Sequence, residues 1–183
     1  MDLSTLPARD RILVTAHDLF YRDGIRATGI DRIIAESGVA KLTFYRHFPS
    51  KDDLVLAFLD YRHDRWMAWF VDALARHGAH SGAGLSALPG ALAEWFADPG
   101  FRGCAFINSV VEVDASVAGA ADIARAHKVE MEQVIGELVA AGPDRAAIAQ
   151  AAAVAVDGAI IRAQMGDAEA ALAGLRRLLR SML

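Results

Sequence analysis

The sequence lacks the features of secreted, membrane-spanning and disulfide-bonded proteins. It has one cysteine, Cys104, which excludes an internal disulfide framework and suits a reducing compartment. No stretch of about 18 apolar residues lacks a charged residue, so no transmembrane helix is expected. A membrane is therefore not an expected partner. The opening residues 1–4 are acidic, where a signal peptide requires a basic segment. These absences predict a soluble, cytoplasmic protein.

Proline is also scarce, with 5 residues in 183, whereas alanine is the most frequent residue. Apolar residues make up 54% of the chain and charged residues 23%, which excludes a disordered protein. Alanine favours helices, and no segment of useful length alternates between apolar and polar residues. The sequence therefore predicts an all-α protein with about nine helices.

The charge is unevenly distributed along the chain. The net charge is −4, yet residues 1–51 contain eight basic and six acidic side chains. Six of those eight cations are arginines, which can make bidentate contacts to phosphates or guanine. The N-terminal third can therefore face an acidic partner that the rest of the chain would repel. An excess this small also arises by chance.

Apolar spacing predicts a first helix that ends at Gly24, followed by a short second helix. Thr28 is expected to cap this second helix, with Asp31 in the capping-box position. Gly38 is expected to end it in a left-handed conformation. A third helix begins at Ala40, directly after this glycine.

The second and third helices, joined by the turn 37–39, have the form of a helix-turn-helix. Apolar residues of both helices face inward. The outward residues of the third helix are Lys41, Leu42, Thr43, Tyr45 and His47. Apart from Leu42, they provide a cation, a hydroxyl, a phenol and an imidazole, which suit phosphates and base edges. Because tight helix corners occur in many all-α proteins, the pattern alone leaves DNA binding open.

The rest of the chain is predicted to be helical as well. Ser50 should cap a long helix that reaches about residue 77, with Asp52 and Asp53 in its first turn. Further helices are predicted over 85–97, 103–114, 117–141, 144–165 and 167–181. We therefore expect a helix-turn-helix domain over residues 1–50 and a larger helical domain over residues 51–183.

The segment 28–54 resembles the DNA-binding domain of the TetR family of bacterial transcriptional repressors. The most specific part is the string Tyr45-x-His47-Phe48-x-Ser50-Lys51-x-x-Leu54. The resemblance covers residues 9 to about 59. It implies a ligand-responsive repressor that binds a palindromic double-stranded DNA operator as a homodimer.

The resemblance also implies roles for individual residues. Residues 40–47 would form the recognition helix in the major groove. Six residues match positions that contact bases or phosphates, and Leu42 is expected to join them at the DNA: Thr28, Lys41, Thr43, Tyr45, His47 and Lys51. The chain departs from the family pattern at Ala40, where a capping hydroxyl is usual, and at Leu42, where a small residue is frequent. Leu42 adds apolar surface that can meet a thymine methyl group.

The second domain is expected to hold the dimer interface and an effector pocket. Small residues recur at a spacing of three or four between Ala147 and Ala159, which allows close helix approach across a dimer or within one subunit. Aromatic and polar residues are candidates for the pocket of an apolar or aromatic effector: Trp66, Trp69, Phe70, Trp95, Cys104, Phe106, Asn108, Glu112, His127 and Met131. Aromatic stripes at helical spacing also occur in ordinary cores.

The sequence favours a protein without catalysis, cofactor or metal. It has no nucleophile-elbow, phosphate-loop or dinucleotide-binding glycine pattern. His127 and Glu130 share a helix face, and Glu112 could approach them, but a helical-bundle metal site usually needs further carboxylates and a second histidine motif. Two alternatives therefore remain open, a small-molecule-binding helical protein with a vestigial DNA-binding domain and a helical metalloenzyme.

Overall fold

The computed structural model describes residues 3–113 and 116–182, and these residues form helices without any strand. The prediction of an all-α fold is confirmed. Nine α-helices follow one another: α1 (Ala8–Asp23), α2 (Ile30–Ser37), α3 (Lys41–His47), α4 (Lys51–Arg76), α5 (Leu88–Phe96), α6 (Ala105–Val113), α7 (Ala120–Leu138), α8 (Arg145–Gln164) and α9 (Ala168–Ser181). Two short 3-10 helices lie at Leu3–Thr5 and Leu85–Ala87.

The chain divides into two compact units. Unit 1 consists of Met1–Asp64 and Ala105–Ala124, and unit 2 of Arg65–Cys104 and Arg125–Leu183. This division differs from the linear one expected at residue 50. The first half of α4 and all of α6 belong with the three N-terminal helices. A compact unit is defined by contacts in space, and these contacts can join segments that are distant in the sequence.

Unit 1 is built around the apolar faces of α1, α2 and α3. Ile12, Ile33 and Phe44 are fully buried, one from each of these helices. Phe20 of α1 packs edge-to-face on Phe58 of α4, with ring centroids 5.4 Å apart. Val39 is buried in the turn between α2 and α3. These contacts confirm the predicted inward face of the helix-turn-helix.

The start of α2 differs from the prediction. Its N-cap is Gly29, which has no side chain to bond, so Thr28 is not the cap and Asp31 does not complete a capping box. The Thr28 hydroxyl instead donates to the carbonyl of Gly24 at 2.8 Å. The other end of α2 is as predicted, because Gly38 has the left-handed values φ 65° and ψ 28°.

The start of α4 confirms the predicted cap. The Ser50 hydroxyl accepts the backbone N–H of Asp53 at 3.0 Å, and the Asp53 carboxylate accepts the backbone N–H of Ser50 at 3.0 Å. This reciprocal pair satisfies two donors that a helix start leaves unpaired. The junction between α3 and α4 is therefore firmly defined.

The helices that follow α4 begin or end inside the predicted limits. Proline in the first turn of α5 delays that helix to Leu88, after the 3-10 turn. α6 begins at Ala105, because Gly103 has a positive φ of 82°. Its predicted end at residue 114 lies outside the described residues. α7 spans Ala120–Leu138, within the predicted range 117–141.

Unit 2 is centred on the antiparallel neighbours α8 and α9. One face of α8 is buried, including Ala152, Val156 and Ile160, and α9 buries Ala171 and Leu175 in the same unit. α8 is also long and apolar enough to cross a membrane by length and composition alone. One such helix is weak evidence for a membrane span, and 39% of the window that passes the test is buried inside the structure.

Candidate nucleic-acid interface

The third helix presents an exposed surface that its two phenylalanines hold in place. Phe44 and Phe48 are buried, and the guanidinium of Arg9 lies 5.2 Å from the centre of the Phe48 ring. On the opposite side, Leu42 is 74% exposed and Tyr45 is 40% exposed. The remaining predicted residues of α3 also reach solvent: Lys41 and His47 are exposed, and Thr43 is partly exposed. α3 therefore exposes all five residues that the sequence placed on its outer face.

Arg46 is a further exposed cation of α3, in addition to the residues predicted for its outer face. It lies two residues after the buried Phe44, which in a helix places it on the opposite side, beside Leu42 and Thr43. Its guanidinium forms no ion pair with any residue in the described part of the chain. The signal was present in the sequence, because a helical wheel centred on Phe44 identifies this position as outermost.

The electrostatics of α3 favour an anionic partner. The helix contains Lys41, Arg46 and His47 and no acidic side chain. Among the described residues, the one carboxylate contact of this helix is an exposed one, between Lys41 Nζ and Asp31 Oδ1 at 3.4 Å. An exposed pair of this kind contributes little energy, so Lys41 can exchange it for a phosphate. The Tyr45 ring packs edge-to-face on Phe44 at 5.3 Å, which fixes the ring while leaving it partly exposed.

Two predicted phosphate anchors outside α3 have other partners in the structure. Thr28 is completely buried and its hydroxyl is bonded to Gly24, so its side chain is not available to a phosphate. Lys51 Nζ donates to the carbonyl of Ile25 at 2.6 Å. Burial lowers the pKa of this half-buried lysine. The Lys51 ammonium therefore holds the turn after α1, while two of its three protons stay available.

Glu112, expected as a polar contact of the effector, lies in unit 1 and binds the backbone. Its Oε2 accepts the N–H of Ile25 at 2.5 Å and the N–H of Arg26 at 3.1 Å. No sequence signal identifies this contact, because 87 residues separate Glu112 from Ile25. The other candidates on α6, Phe106 and Asn108, also belong to unit 1.

Unit 2 brings together five of the predicted effector residues in one aromatic cluster. Trp66 stacks on Phe70 at 4.7 Å, and it meets Trp95 and His127 edge-to-face at 5.4 and 5.1 Å. Trp69 lies 6.0 Å from both Trp66 and Trp95. We define these five rings, from Trp66, Trp69, Phe70, Trp95 and His127, as the tryptophan cluster. Cys104 and Met131 are buried elsewhere in the same unit.

One polar atom of the tryptophan cluster has no partner. Trp66 Nε1 is buried and has no hydrogen-bond acceptor among the residues that the structure describes. Buried indole N–H groups usually find a partner, and leaving one unpaired costs about 1–3 kcal/mol. The cluster therefore offers an unused donor inside an apolar surrounding. The described residues contain no group of three or more metal-ligating side chains placed to hold an ion.

The outer face of α8 is apolar, although it is exposed in the single chain. Val154 is 68% exposed and Met165 is 79% exposed, and Ile161 lies exposed between them. Ala151 and Gly158 continue the same stripe at helical spacing. On α9, Leu178 is also exposed. We call this surface the α8 stripe, defined by Ala151, Val154, Gly158, Ile161 and Met165.

Known proteins share both the N-terminal helices and the whole fold. Residues 12–58 match the family model described as bacterial regulatory proteins, tetR family. Across the whole chain, the structure is similar to that of SCO4454, a TetR-family transcriptional regulator from Streptomyces coelicolor. The two chains are 32% identical with a TM-score of 0.81, over 96% of this chain and 95% of that one.

Further similarities are more limited. The chain is 36% identical over 66 residues to the transcriptional activator FasR of Mycolicibacterium smegmatis, which covers 36% of this chain and 30% of FasR. The match to the regulator YerO of Bacillus subtilis is 42% identical and covers 29% of this chain and 18% of YerO. Both curated relatives are thus matched over less than a third of their length.

A cysteine mutant of the TetR family regulator CifR, complexed with 26bp double-strand operator DNA, shares the fold. Its TM-score is 0.77 at 22% identity, over 94% of this chain and 96% of that one. The similarity to SCO4454 extends over nearly the full length of both proteins, and the family model covers the helix-turn-helix. The chain belongs to the TetR family and is a DNA-binding transcriptional regulator.

Proposed function

We propose that this regulator is a cytoplasmic repressor that binds a palindromic operator as a homodimer and responds to a small apolar effector. The observation that carries the proposal is the outer face of α3, which is exposed, free of acidic side chains and anchored by the buried Phe44. An α-helix fits the major groove of duplex DNA, where base edges can be distinguished. Occupancy of a promoter blocks polymerase, which favours repression over activation.

The α8 stripe supports the homodimer. A helix that is apolar on both faces needs a partner on each, and α8 has one face buried within unit 2 and the other exposed. A second copy of the chain provides the same stripe in a two-fold arrangement, with Gly158 and Ala151 allowing close approach. Two copies of α3 could then reach successive major grooves about 34–36 Å apart.

The tryptophan cluster supports an aromatic or apolar effector with one hydrogen-bond acceptor. Its rings supply apolar contact area, and Trp66 Nε1 supplies a buried donor without a partner. A carbonyl oxygen placed at this donor would satisfy it, whereas a pure hydrocarbon would not. An effector changes DNA affinity only if it binds the DNA-competent and DNA-incompetent forms with different free energies.

Salt dependence tests the DNA-binding part of the proposal. We expect affinity for a duplex recovered from genomic DNA by the protein itself to fall steeply as salt rises. A dimer that neutralises about 6–10 phosphates loses about 10³–10⁵ in affinity between roughly 50 and 200 mM salt. The measurement is a fluorescence-anisotropy titration at several salt concentrations, with a scrambled duplex of equal composition as control.

A flat salt response, or equal affinity for the recovered and scrambled duplexes, would contradict sequence-specific recognition. The second result would favour the alternative of a small-molecule-binding protein with vestigial DNA-binding helices. If binding of the protein to the recovered duplex increased transcription from a reporter, the protein would be an activator, like FasR, and the proposed repression would be wrong.

A pair of tryptophan variants tests the effector site. All 3 tryptophans of the chain lie in the tryptophan cluster, so selectively excited tryptophan fluorescence reports only on it. We expect an aromatic ketone such as acetophenone to quench this fluorescence. Trp66→Phe should weaken its binding by about tenfold, because the unpaired donor is lost. Trp69→Phe removes the same atoms elsewhere in the cluster and should change affinity by less than about twofold. Equal effects of the two substitutions would exclude the Trp66 N–H as the effector's donor.

A further inference from the structure

The turn between α1 and α2 is bound by a carboxylate that is distant in sequence. Glu112 of α6 accepts two consecutive backbone N–H groups, from Ile25 at 2.5 Å and from Arg26 at 3.1 Å. Both donors converge on the same oxygen, Oε2. Hydrogen bonds to an ionised acceptor are about twice as strong as neutral ones. This contact is therefore a strong fixed point between α6 and the turn.

The same turn is held from its other side by Lys51. The Lys51 ammonium donates to the Ile25 carbonyl at 2.6 Å, so both polar groups of this peptide segment are bound by charged side chains. Burial lowers the pKa of Lys51, and the attraction between Glu112 and Lys51 only partly opposes this lowering. We call Glu112, Ile25, Arg26 and Lys51 the turn clamp.

Gly24 is required for the close approach of the carboxylate. Its φ of +92° lies in the region that residues with side chains rarely adopt. A Cβ at this position would lie 3.0 Å from Oε1 of Glu112. The glycine that ends α1 thus also makes room for the clamp.

The clamped turn leads directly into α2, and α2 packs against α3 in unit 1. The Ile25 side chain is buried, and the Thr28 hydroxyl is bonded to Gly24, so the segment 24–28 has little freedom of its own. Its position then depends on where α6 places the Glu112 carboxylate. Because this segment is continuous with α2, a shift of the segment would also shift the start of α2 and, through it, α3.

We infer that Glu112 is a positioning residue for DNA recognition, which sets the orientation of α2 and α3 through the backbone of Ile25 and Arg26. This inference rests on the proposed function. Glu112 itself touches no base or phosphate in this role. Its removal leaves the buried Ile25 N–H without an acceptor and releases the turn, so the recognition surface is no longer held in one orientation.

The experiment compares Glu112→Ala and Glu112→Gln with the wild-type chain. Val111→Ala is the matched control, because it alters the neighbouring residue of α6, which is highly exposed. The first measurement is amide hydrogen exchange at Ile25 and Arg26 by NMR without DNA. The second is affinity for the duplex that the wild-type protein recovers from genomic DNA, measured well below the unfolding midpoint of each variant.

For Glu112→Ala we expect exchange at both amides to rise at least about tenfold and duplex affinity to fall by about tenfold. Glu112→Gln keeps an oxygen acceptor without the charge and should give intermediate values in both measurements. Val111→Ala should match the wild type within about twofold. Because Glu112→Gln is isosteric, it provides the test if the alanine variant does not fold.

Three results would overturn the inference. They are unchanged exchange at both amides, unchanged duplex affinity despite faster exchange, and an affinity loss that Val111→Ala reproduces. A wild-type protein without sequence preference would instead contradict the proposed function. The exchange measurement is made without DNA, so it reports on the clamp in either case and separates the two failures.

Discussion

The Gly158→Arg variant is expected to be monomeric and to lose about 10²–10⁴ in affinity for the operator. A dimer binds its second half-site as an intramolecular event, and that advantage disappears when the two copies separate. Gly158 lies in the middle of the α8 stripe, between the exposed Val154 and Ile161. A bulky cation at this point would prevent two stripes from packing closely.

The Gly158→Arg substitution should prevent dimerisation without weakening the fold of the single chain. A Cβ at Gly158 would meet no atom within 4 Å in its own unit, so the single chain has space for the new side chain. Arginine also favours a helix more than glycine does, so the isolated fold should not be weakened. The measurements are light scattering for the mass and an anisotropy titration with the operator duplex.

Ala75→Arg is the matched control, because it adds the same side chain to an exposed position of α4. It should leave mass and affinity unchanged. A Gly158→Arg protein that remains dimeric would contradict the assignment of the α8 stripe as the dimer interface. A monomer with full operator affinity would contradict the requirement for two half-sites.

Arg46→Ala is expected to lower operator affinity by about 10- to 100-fold and to relax the sequence preference. Arg46 lies with Leu42 at the outermost part of α3, opposite the buried Phe44, which is the part that would enter a groove first in the proposed complex. A bidentate contact from arginine to a base is worth about 1–3 kcal/mol. Loss of a base contact weakens one sequence more than others, whereas loss of a phosphate contact weakens all of them equally.

The measurement is a competition between the operator and duplexes with single base-pair changes. Arg176→Ala is the matched control, since it also removes an exposed positive charge, here from α9 in unit 2. It should leave the preference unchanged. If Arg46→Ala weakened all duplexes by the same factor, Arg46 would contact phosphate only. Unchanged affinity would remove Arg46 from the interface.

Local sequence determined much of the DNA-binding unit. The cap formed by Ser50 and Asp53 links residues three apart, and the left-handed end of α2 depends on Gly38 alone. Both features are therefore visible in the sequence. The N-terminus of α2 was wrongly predicted because the Thr28 hydroxyl has a second local acceptor, the carbonyl of Gly24, and tertiary packing buries it there.

Contacts between distant segments could not be predicted in the same way. Spacing along α4 places Trp66, Trp69 and Phe70 near one another, but only the packing of unit 2 adds Trp95 and His127. The role of Glu112 depends on a contact with backbone groups 86 and 87 residues away. A backbone acceptor or donor leaves no pattern of side chains, so residue type gave no indication of this partner.

The most direct test of the central claim is the symmetry of the DNA that the protein selects. Fragments bound from a genomic pool should be sequenced and footprinted with the wild-type chain. We predict an inverted repeat whose half-sites are centred about one helical turn apart, or a multiple of it, with both halves protected at once. Selected fragments that share no sequence, or a single protected half-site without a symmetric mate, would contradict recognition by two paired α3 helices.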